Sequence, residues 1–246
     1  MMKEQIEKFA EQFAYQPEIA NAGQLQKKEH FVVSGMGGSG LAAKLLLAWD
    51  PSLPILVHQD YGLPAPLSSG SGKPAVASKD AGEHLFIFNT YSGNTEEVLS
   101  GYDEAKRQKL SMATVATGGK VLEKAKEDGI PYVQLPDWGL QPRMSLGLQA
   151  RALLALIGRG DLLDSSAELA TALKPSVFEA EGKELAKTLE GRVPIIYSSA
   201  RNFAVAYTWK IKFNETGKIP AFYNVFSELN HNEMTGFDAQ ESNRAL

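Results

Sequence analysis

The stretch that decides the fold is "HFVVSGMGGSGLAAKLLLAW", residues 30–49. It begins with an apolar run typical of a buried strand, passes through closely spaced glycines, and continues as an apolar helical segment. A strand joined in this way to a helix is the repeating unit of α/β proteins, whose strands run parallel. The stretch therefore predicts an α/β fold, and the chain on either side of it can be searched for further units.

The same alternation of strand and helix recurs along the first part of the chain. The predicted strands are residues 30–35, 54–58, 84–90, 110–117 and 130–136. An amphipathic helix is predicted over residues 2–15, where apolar residues recur at helical spacing. Together these segments predict a doubly wound parallel sheet of five strands with helices on both faces.

The second part of the chain begins with helical patterns and ends with few strands. Two strand-like runs, "VPIIYSS" (193–199) and "IPAFYNVF" (219–226), flank a predicted helix. The expected division is a first subdomain over 1–160, linking helices over 161–190, and a second subdomain over 191–246. Two or three strands make a thin sheet with exposed edges. We therefore expect the second subdomain to be incomplete, either because a longer protein continues or because another chain covers it.

Composition narrows the functional classes. Hydrophobic residues make up 43% of the 246 residues and charged residues 22%, as in ordinary globular proteins. The net charge of −4 predicts no attraction to nucleic acid or to anionic membrane. Cysteine is absent, the histidines lack metal-ligand spacing, and the opening "MMKEQIEKFAEQF" has no apolar signal core. The expectation is a cytoplasmic protein without a bound metal.

The glycine-rich loop permits two interpretations. Gly35, Gly37 and Gly40 match the G-x-G-x-x-G pattern of dinucleotide-binding loops. Asp60 follows the second strand where such a site places its ribose-binding acid. Glycines between a strand and a helix also serve any closely packed turn, so a nicotinamide or flavin site is one alternative and a purely structural turn is the other.

A second loop, "NTYSGNTEE" (89–97), follows the third strand and leads into a helix. Ser92, Asn94 and Thr95 offer hydroxyl and amide groups beside the free backbone N–H groups of a helix start, an arrangement suited to a phosphate ester. The alternative is a capping box formed by Asn94 and Glu97. Two such loops on neighbouring strand ends favour ligand binding, because parallel sheets bind ligands at their carboxyl ends.

Glu215 is a candidate general base. Tyr207, Ile211 and Glu215 fall at four-residue steps, so the carboxylate continues an apolar stripe towards the interior, and Gly217 is the expected helix-ending glycine. Burial and the helix C-terminus would raise its pKa towards the range useful for removing a proton from carbon. The alternative is an exposed acid paired with Lys218.

His231, sixteen residues beyond Glu215, is the second candidate. Its near-neutral pKa suits proton transfer to a sugar ring oxygen, although a structural hydrogen-bonding role is the commoner outcome for an isolated histidine. Arg143, in "QPRMSLG", would on its own be interpreted as a surface residue at a helix start. A fixed guanidinium is also well suited to stabilising developing oxyanion charge.

Four motifs together resemble the bifunctional phosphoglucose/phosphomannose isomerases, a branch of the SIS (sugar isomerase) domain proteins. They are "VSGMGGSG", "YSGNTEE", "NETGKIP" and "ELNHNEMTGF", and the resemblance extends from the first strand to about Phe237. It implies two SIS-type subdomains, each a parallel sheet flanked by helices, and a homodimer whose active site is shared between subunits. The implied reaction interconverts glucose 6-phosphate, and mannose 6-phosphate, with fructose 6-phosphate through a cis-enediol, without cofactor or metal.

The resemblance also implies a role for each candidate residue. Glu215 matches the base that moves a proton between C1 and C2, and Arg143 matches an arginine that stabilises the enediolate. His231 matches the histidine that opens the ring and is contributed to the neighbouring subunit's site. The residues expected to bind the substrate phosphate and sugar are Gly37, Gly38, Ser39, Tyr91, Ser92, Gly93, Asn94 and Thr95.

Two other functions remain open at this point. One is a SIS module that binds phosphosugars without chemistry and regulates a partner; the other is a dinucleotide-dependent oxidoreductase. Members of the family continue beyond the point where this chain ends, so the residue that decides acceptance of mannose 6-phosphate is expected outside it, and the activity of the shorter chain is open. The loop over 67–80 is longer than the family needs and has no assigned role.

Overall fold

The computed structural model describes residues 2–64 and 81–238, so the prediction about the loop at 67–80 lies outside the described residues. Within these ranges the strands are β1 Ile19–Ala20, β2 His30–Ser34, β3 Ile55–His58, β4 His84–Asn89, β5 Ser111–Ala116, β6 Tyr132–Gln134, β7 Ile195–Ser199 and β8 Phe222–Phe226. The α-helices are α1 Met2–Glu7, α2 Gly37–Trp49, α3 Glu96–Arg107, α4 Gly119–Glu127, α5 Leu146–Leu156, α6 Gly160–Ala167, α7 Leu169–Ala172, α8 Glu179–Thr188 and α9 Phe203–Ile211.

The larger sheet has the strand order β1-β6-β5-β4-β2-β3. The strands from β2 to β6 are parallel, and the five predicted strands are confirmed. The short strand β1 adds an antiparallel edge by pairing with β6 and was not predicted. With two residues it is too short to show any alternation of polar and apolar side chains.

The strands of this sheet are apolar along their length because helices cover both faces. Val33 and Ile87 point into a core shared with α2 and α5. Val32 and Phe86 point to the opposite face, against α3 and α4. Alternate residues of one strand therefore enter different cores, which is why the sequence shows continuous apolar runs instead of alternation.

The smaller sheet consists of β7 and β8, paired in parallel with Ile195 opposite Phe222. A parallel pair needs a crossover, which α9 provides while also packing against α2. The observed α/β fold of mostly parallel sheets flanked by helices agrees with the predicted fold class. The subdomain boundaries at residues 160 and 190 remain a prediction.

The predicted opening helix is interrupted. The segment predicted over residues 2–15 is α1 followed by a 3₁₀-helical stretch, Phe9–Ala14. The helical patterns predicted at the start of the second part of the chain are observed as α5 to α8, with a 3₁₀ turn at Pro175–Phe178. Among the described residues, no helix has the length and apolar character required to span a membrane.

Candidate functional site

The glycine-rich loop lies at the carboxyl end of β2, where the order of strands changes direction. From β2 the chain goes to β3 on one side and then to β4 on the other, so the crevice between β2 and β4 is the switch point of the sheet. Ligands of open α/β sheets bind at this position. Helix α2 begins at Gly37, earlier than predicted, so the glycines form its first turn and offer backbone N–H groups to an anion.

Ser39 joins the two predicted loops. Its buried Oγ accepts a hydrogen bond from the Tyr91 backbone N at 3.0 Å, and its carbonyl accepts one from Asn89 Nδ2 at 2.8 Å. The donors Asn89 and Tyr91 lie at the end of β4 and just beyond it. The glycine loop and the 90–95 loop therefore form one continuous surface at the carboxyl ends of β2 and β4.

The 90–95 loop has an internal structure that the capping-box interpretation did not predict. Helix α3 starts at Glu96, with Thr95 as its N-cap residue and no side-chain cap, so the interpretation based on Asn94 and Glu97 is wrong. The Asn94 side chain instead accepts a hydrogen bond from the Lys120 backbone N at 3.1 Å, at the start of α4. The Thr95 hydroxyl lies 2.7 Å from the Thr90 hydroxyl, which fixes its position on the loop.

Arg143 and Glu215 form the charged centre of the site. Arg143 Nη1 donates to Glu215 Oε2 at 3.0 Å, and Nη2 donates to the Glu215 carbonyl at 3.3 Å. Arg143 Nε donates to Thr216 Oγ1 at 2.9 Å. The pair touches the glycine loop, because a Cβ placed on Gly38 would lie 2.4 Å from the Arg143 backbone N. Residues far apart in sequence therefore meet beside the first turn of α2.

Glu215 is less buried than the stripe of Tyr207 and Ile211 predicted. Ile211 is buried, but the Glu215 side chain is 45% exposed in the single chain, beside an Arg143 side chain that is 10% exposed. The cause is local, because α9 ends at Ile211 and continues as a π-helical turn, Lys212–Gly217. Such a turn is wider than an α-helical one and rotates the carboxylate out of the stripe towards Arg143.

The end of this turn also differs from the prediction. The left-handed backbone conformation falls on Lys218, with φ of 57°, and not on Gly217. The alternative pairing of Glu215 with Lys218 is not present in the part of the chain that the structure describes, where the salt-bridge partner of Glu215 is Arg143.

One further lysine contacts the pair, and a second lies on α2 beside Tyr207. Lys212 Nζ donates to the Arg143 carbonyl at 2.6 Å, and burial lowers its pKa to about 8. Lys44, on α2, donates to Gln59, and its Nζ lies 4.0 Å from the centre of the Tyr207 ring. Burial lowers the pKa of Lys44 to about 8 as well. The chain is acidic overall, yet this site has a cationic surrounding suited to an anionic ligand.

His231 lies in a different place from the other predicted residues. It ends a 3₁₀ turn, Glu228–His231, that packs on β8, and its side chain is exposed. Two residues on, Glu233 accepts hydrogen bonds from Tyr197 at 2.8 Å and from Asn224, which anchors the segment to both strands of the smaller sheet. Within the described residues His231 makes no hydrogen bond to Glu215 or Arg143.

The acid expected in a dinucleotide site, Asp60, lies just after β3. It is exposed, and its carboxylate accepts a hydrogen bond from the Tyr61 backbone N at 2.9 Å. The neighbouring Gln59 contacts the glycine loop by donating to the Gly35 carbonyl at 3.2 Å. In the described residues, no three acidic or histidine side chains come together as metal ligands.

Sequence reasoning missed several residues that build the site. Thr216 and Lys212 hold Arg143, and Lys44 and Gln59 support the glycine loop. Gln12 was missed because the amphipathic pattern of the opening segment does not show which of its polar residues is buried, although Gln12 is buried and donates to the Met144 carbonyl at 2.7 Å. Its position three residues after Phe9 and beside Phe13, at the edge of the apolar face, is the signal that could have identified it.

Comparison with known proteins connects this geometry to a family. Residues 178–246 match the family described as the bacterial phospho-glucose isomerase C-terminal SIS domain. The C-terminal domain of glucosamine-fructose-6-phosphate aminotransferase from Francisella tularensis has a similar fold, with a TM-score of 0.66 at 14% identity. That similarity covers 95% of this chain and 71% of the other. The chain thus has the α/β fold of SIS-type proteins.

Two curated relatives share more of the sequence, and each bears the name bifunctional phosphoglucose/phosphomannose isomerase. The protein from Aquifex aeolicus is 32% identical over 96% of this chain and 70% of its own length. The protein from Caldicellulosiruptor bescii is 36% identical over 85% of this chain, and the matched part is 62% of that relative's length. By these similarities, the chain belongs to the bifunctional phosphoglucose/phosphomannose isomerase family.

Proposed function

We propose that the chain interconverts glucose 6-phosphate, and also mannose 6-phosphate, with fructose 6-phosphate by proton transfer through a cis-enediol. The observation that carries the proposal is the ion pair of Arg143 and Glu215, which lies against the glycine loop at the switch point of the sheet. An aldose–ketose isomerase needs a carbon base and a group that stabilises oxyanion charge, and this pair supplies both.

The substrate phosphate would bind across the two loops at the carboxyl ends of β2 and β4. Ser39, Ser92 and Thr95 would donate hydroxyl hydrogen bonds, and the backbone N–H groups of Gly37 and Gly38 would add to them. The hydrogen bond from the Tyr91 backbone to Ser39 Oγ uses only an acceptor position, so the Ser39 hydroxyl proton remains available to a ligand. Anchoring the phosphate brings C1 and C2 of the open sugar towards Glu215.

Proton transfer would be divided between two residues. His231 from the second subunit of a homodimer would move the proton that opens the ring, a role that fits its exposed position. Glu215 would then remove the proton from the carbon next to the carbonyl and return it to the neighbouring carbon. Arg143 would hold the enediolate oxygens, with its guanidinium fixed in advance by Glu215 and Thr216.

The decisive experiment is Glu215→Gln. The amide keeps the shape of the side chain and can still accept a hydrogen bond from Arg143, but it cannot take a proton from carbon. We expect kcat to fall by a factor of about 10² to 10⁴, the usual contribution of a general base. Turnover of fructose 6-phosphate is measured with a coupled glucose 6-phosphate dehydrogenase, and binding of a phosphosugar acid that mimics the enediolate is measured by calorimetry.

Glu181→Gln is the matched control, because Glu181 is an exposed glutamate on α8 and lies outside the site. Its turnover should equal that of the wild type. Undiminished turnover in folded Glu215→Gln would overturn the proposal. Binding of the phosphosugar acid without any turnover in the wild-type chain would favour the alternative, a non-catalytic SIS module that senses phosphosugars.

A further inference from the structure

Arg143 lies on the 3₁₀ turn Pro142–Met144, which is joined to the π-helical turn Lys212–Gly217 by contacts in both directions. The Arg143 guanidinium reaches the end of that turn at Glu215 and Thr216. From the start of the same turn, Lys212 Nζ reaches back to the Arg143 carbonyl at 2.6 Å and lies 2.9 Å from Met144 Sδ. The backbone and the side chain of Arg143 are therefore both held by one short segment.

Three successive carbonyls, those of Pro142, Arg143 and Met144, each accept a hydrogen bond from a side chain, and Lys212 donates to the middle one. Gln149 Nε2 donates to the Pro142 carbonyl at 3.2 Å, and Gln12 Nε2 donates to the Met144 carbonyl at 2.7 Å. The two glutamines hold the flanking carbonyls with neutral amides, and both are buried. The carbonyl of Arg143 itself is held by a cation that extends from the segment bearing Glu215.

The ammonium that makes this contact is half-buried, and partial burial is unfavourable for its charged form. Burial is the largest influence that lowers the pKa of Lys212 to about 8, the Arg143 charge lowers it further, and Glu215 opposes both. A neutral side chain in this place would avoid the cost of burying charge. A lysine that costs stability beside a candidate active site is the pattern expected of a functional residue.

We propose that Lys212 is a positioning residue for the reaction proposed above: by holding the Arg143 carbonyl, it sets the guanidinium at the distance from Glu215 that the enediolate requires. The inference rests on the proposed function. It assigns Lys212 an effect on the chemical step and little effect on substrate binding, because Lys212 donates to the turn at 142–144 and not to the phosphate loops.

The first test compares kinetic constants in Lys212→Met and Lys218→Met. Methionine keeps an unbranched stem but cannot donate to the carbonyl. Because small displacements of catalytic groups cost up to about 10² in rate, we expect kcat to fall by about 10- to 100-fold with KM within about twofold. Lys218 is exposed and lies one residue past the same turn, so Lys218→Met controls for the loss of one charge. A kcat for Lys212→Met equal to that of the control would overturn the proposal.

The second test is the pH profile of wild type and Lys212→Arg. The ammonium loses its charge as pH rises through about 8, and the neutral amine donates a weaker hydrogen bond to the Arg143 carbonyl, so the rate of the wild type should decline there. Arginine stays charged, and its profile should remain level to higher pH. The charged groups that face Lys212 are Arg143 and Glu215, and Lys44 on α2 has a similarly lowered pKa. Lys44 is unchanged in Lys212→Arg, so an unmoved alkaline limb would contradict the proposal.

The free energy of unfolding should rise over the pH range in which the rate of the wild type falls. The folded protein holds the Lys212 proton less tightly than the unfolded chain does. The charged lysine therefore lowers the free energy of unfolding by its full amount below about pH 8, and this loss disappears as pH approaches 10.5. Urea unfolding of wild type should therefore approach that of Lys212→Met as pH rises. A purely structural lysine would show the stability change without the loss of rate.

A third measurement does not depend on turnover. Arg143 Nε donates to Thr216 Oγ1 at 2.9 Å and should give a slowly exchanging N–H signal in a proton–nitrogen correlation spectrum, assigned by its loss in Arg143→Lys. In Lys212→Met this signal should exchange faster and shift. An unchanged signal would overturn the positioning role, whereas a changed signal in a chain without turnover would count against the proposed reaction alone.

Discussion

Gly38 shows how a single missing side chain determines the shape of the site. Any Cβ at this position would lie 2.4 Å from the Arg143 backbone N and 2.6 Å from the Pro142 carbonyl carbon. The first turn of α2 and the turn that carries Arg143 can approach only because residue 38 is glycine. The dinucleotide interpretation used Gly35, Gly37 and Gly40, whereas the neighbouring Gly38 serves the contact between the two turns.

Gly38→Ala should therefore damage both stability and the site. Overpacking of this kind costs about 1–3 kcal/mol, and we expect a lower midpoint in urea together with a large loss of turnover. Gly182→Ala is the control, since this exposed glycine inside α8 has open space around it. Removing a helical glycine should stabilise the chain by about 0.5–1 kcal/mol and leave turnover unchanged. If Gly38→Ala changed neither the urea midpoint nor turnover, the two turns would not be in fixed contact.

At the scale of elements, the 90–95 loop depends on the pairing of α3 with α4. Tyr102, fully buried on α3, donates to Asp128 Oδ2 at 2.8 Å at the end of α4. Lys106 donates to the same carboxylate at 2.7 Å. Asn94 makes the corresponding link at the other end of α4 through the Lys120 backbone N. The loop therefore keeps its shape through contacts at both ends of this helix.

Tyr102→Phe tests this support. Loss of one hydrogen bond should lower the free energy of unfolding by about 0.5–1.5 kcal/mol at neutral pH. Lys106 and Tyr102 lower the pKa of Asp128 below its ordinary value, so the loss should shrink as pH falls through that lowered pKa. Tyr132→Phe is the control and should change stability by less than about 0.5 kcal/mol. An equal loss at all pH values would contradict the assigned partner.

The sequence predicted elements better than it predicted their ends. Strands buried on both faces, such as β2 and β4, are apolar along their length and were predicted with small errors at their ends. The π-helical turn at 212–217 was not predicted, because hydrophobic spacing does not distinguish it from another α-helical turn. That turn sets the exposure of Glu215, so the position of the catalytic candidate depends on backbone geometry that the residue pattern does not contain.

At the scale of the whole molecule, the site residues fall into two groups. Arg143, Glu215 and the two loops meet at the switch point of the larger sheet, while His231 is exposed on the segment that follows β8. The grouping of the first set required long-range packing between α2, α9 and the 142–144 turn. Only the resemblance to a family indicated it in advance, since no local pattern relates residue 143 to residue 215.

A mixing experiment tests whether His231 acts across a dimer. Glu215→Gln and His231→Gln should each be inactive alone. Co-expressed as a mixture, they should regain about one quarter of wild-type activity, because half of randomly assembled dimers are mixed and each of these keeps one intact site. Activity is measured by the coupled assay, and assembly by light scattering. If both variants are dimers and the mixture stays inactive, the histidine does not act in trans.

Arg143, at the centre of the site, has more N–H groups than its hydrogen bonds within the described residues use. A guanidinium carries five N–H groups. Three of them are engaged in the described residues, by Glu215 Oε2, the Glu215 carbonyl and Thr216 Oγ1. Two remain, which equals the number of oxygens that an enediolate presents on adjacent carbons. In the proposed reaction, Arg143 would therefore bind the enediolate while keeping its hydrogen bonds to Glu215 and Thr216.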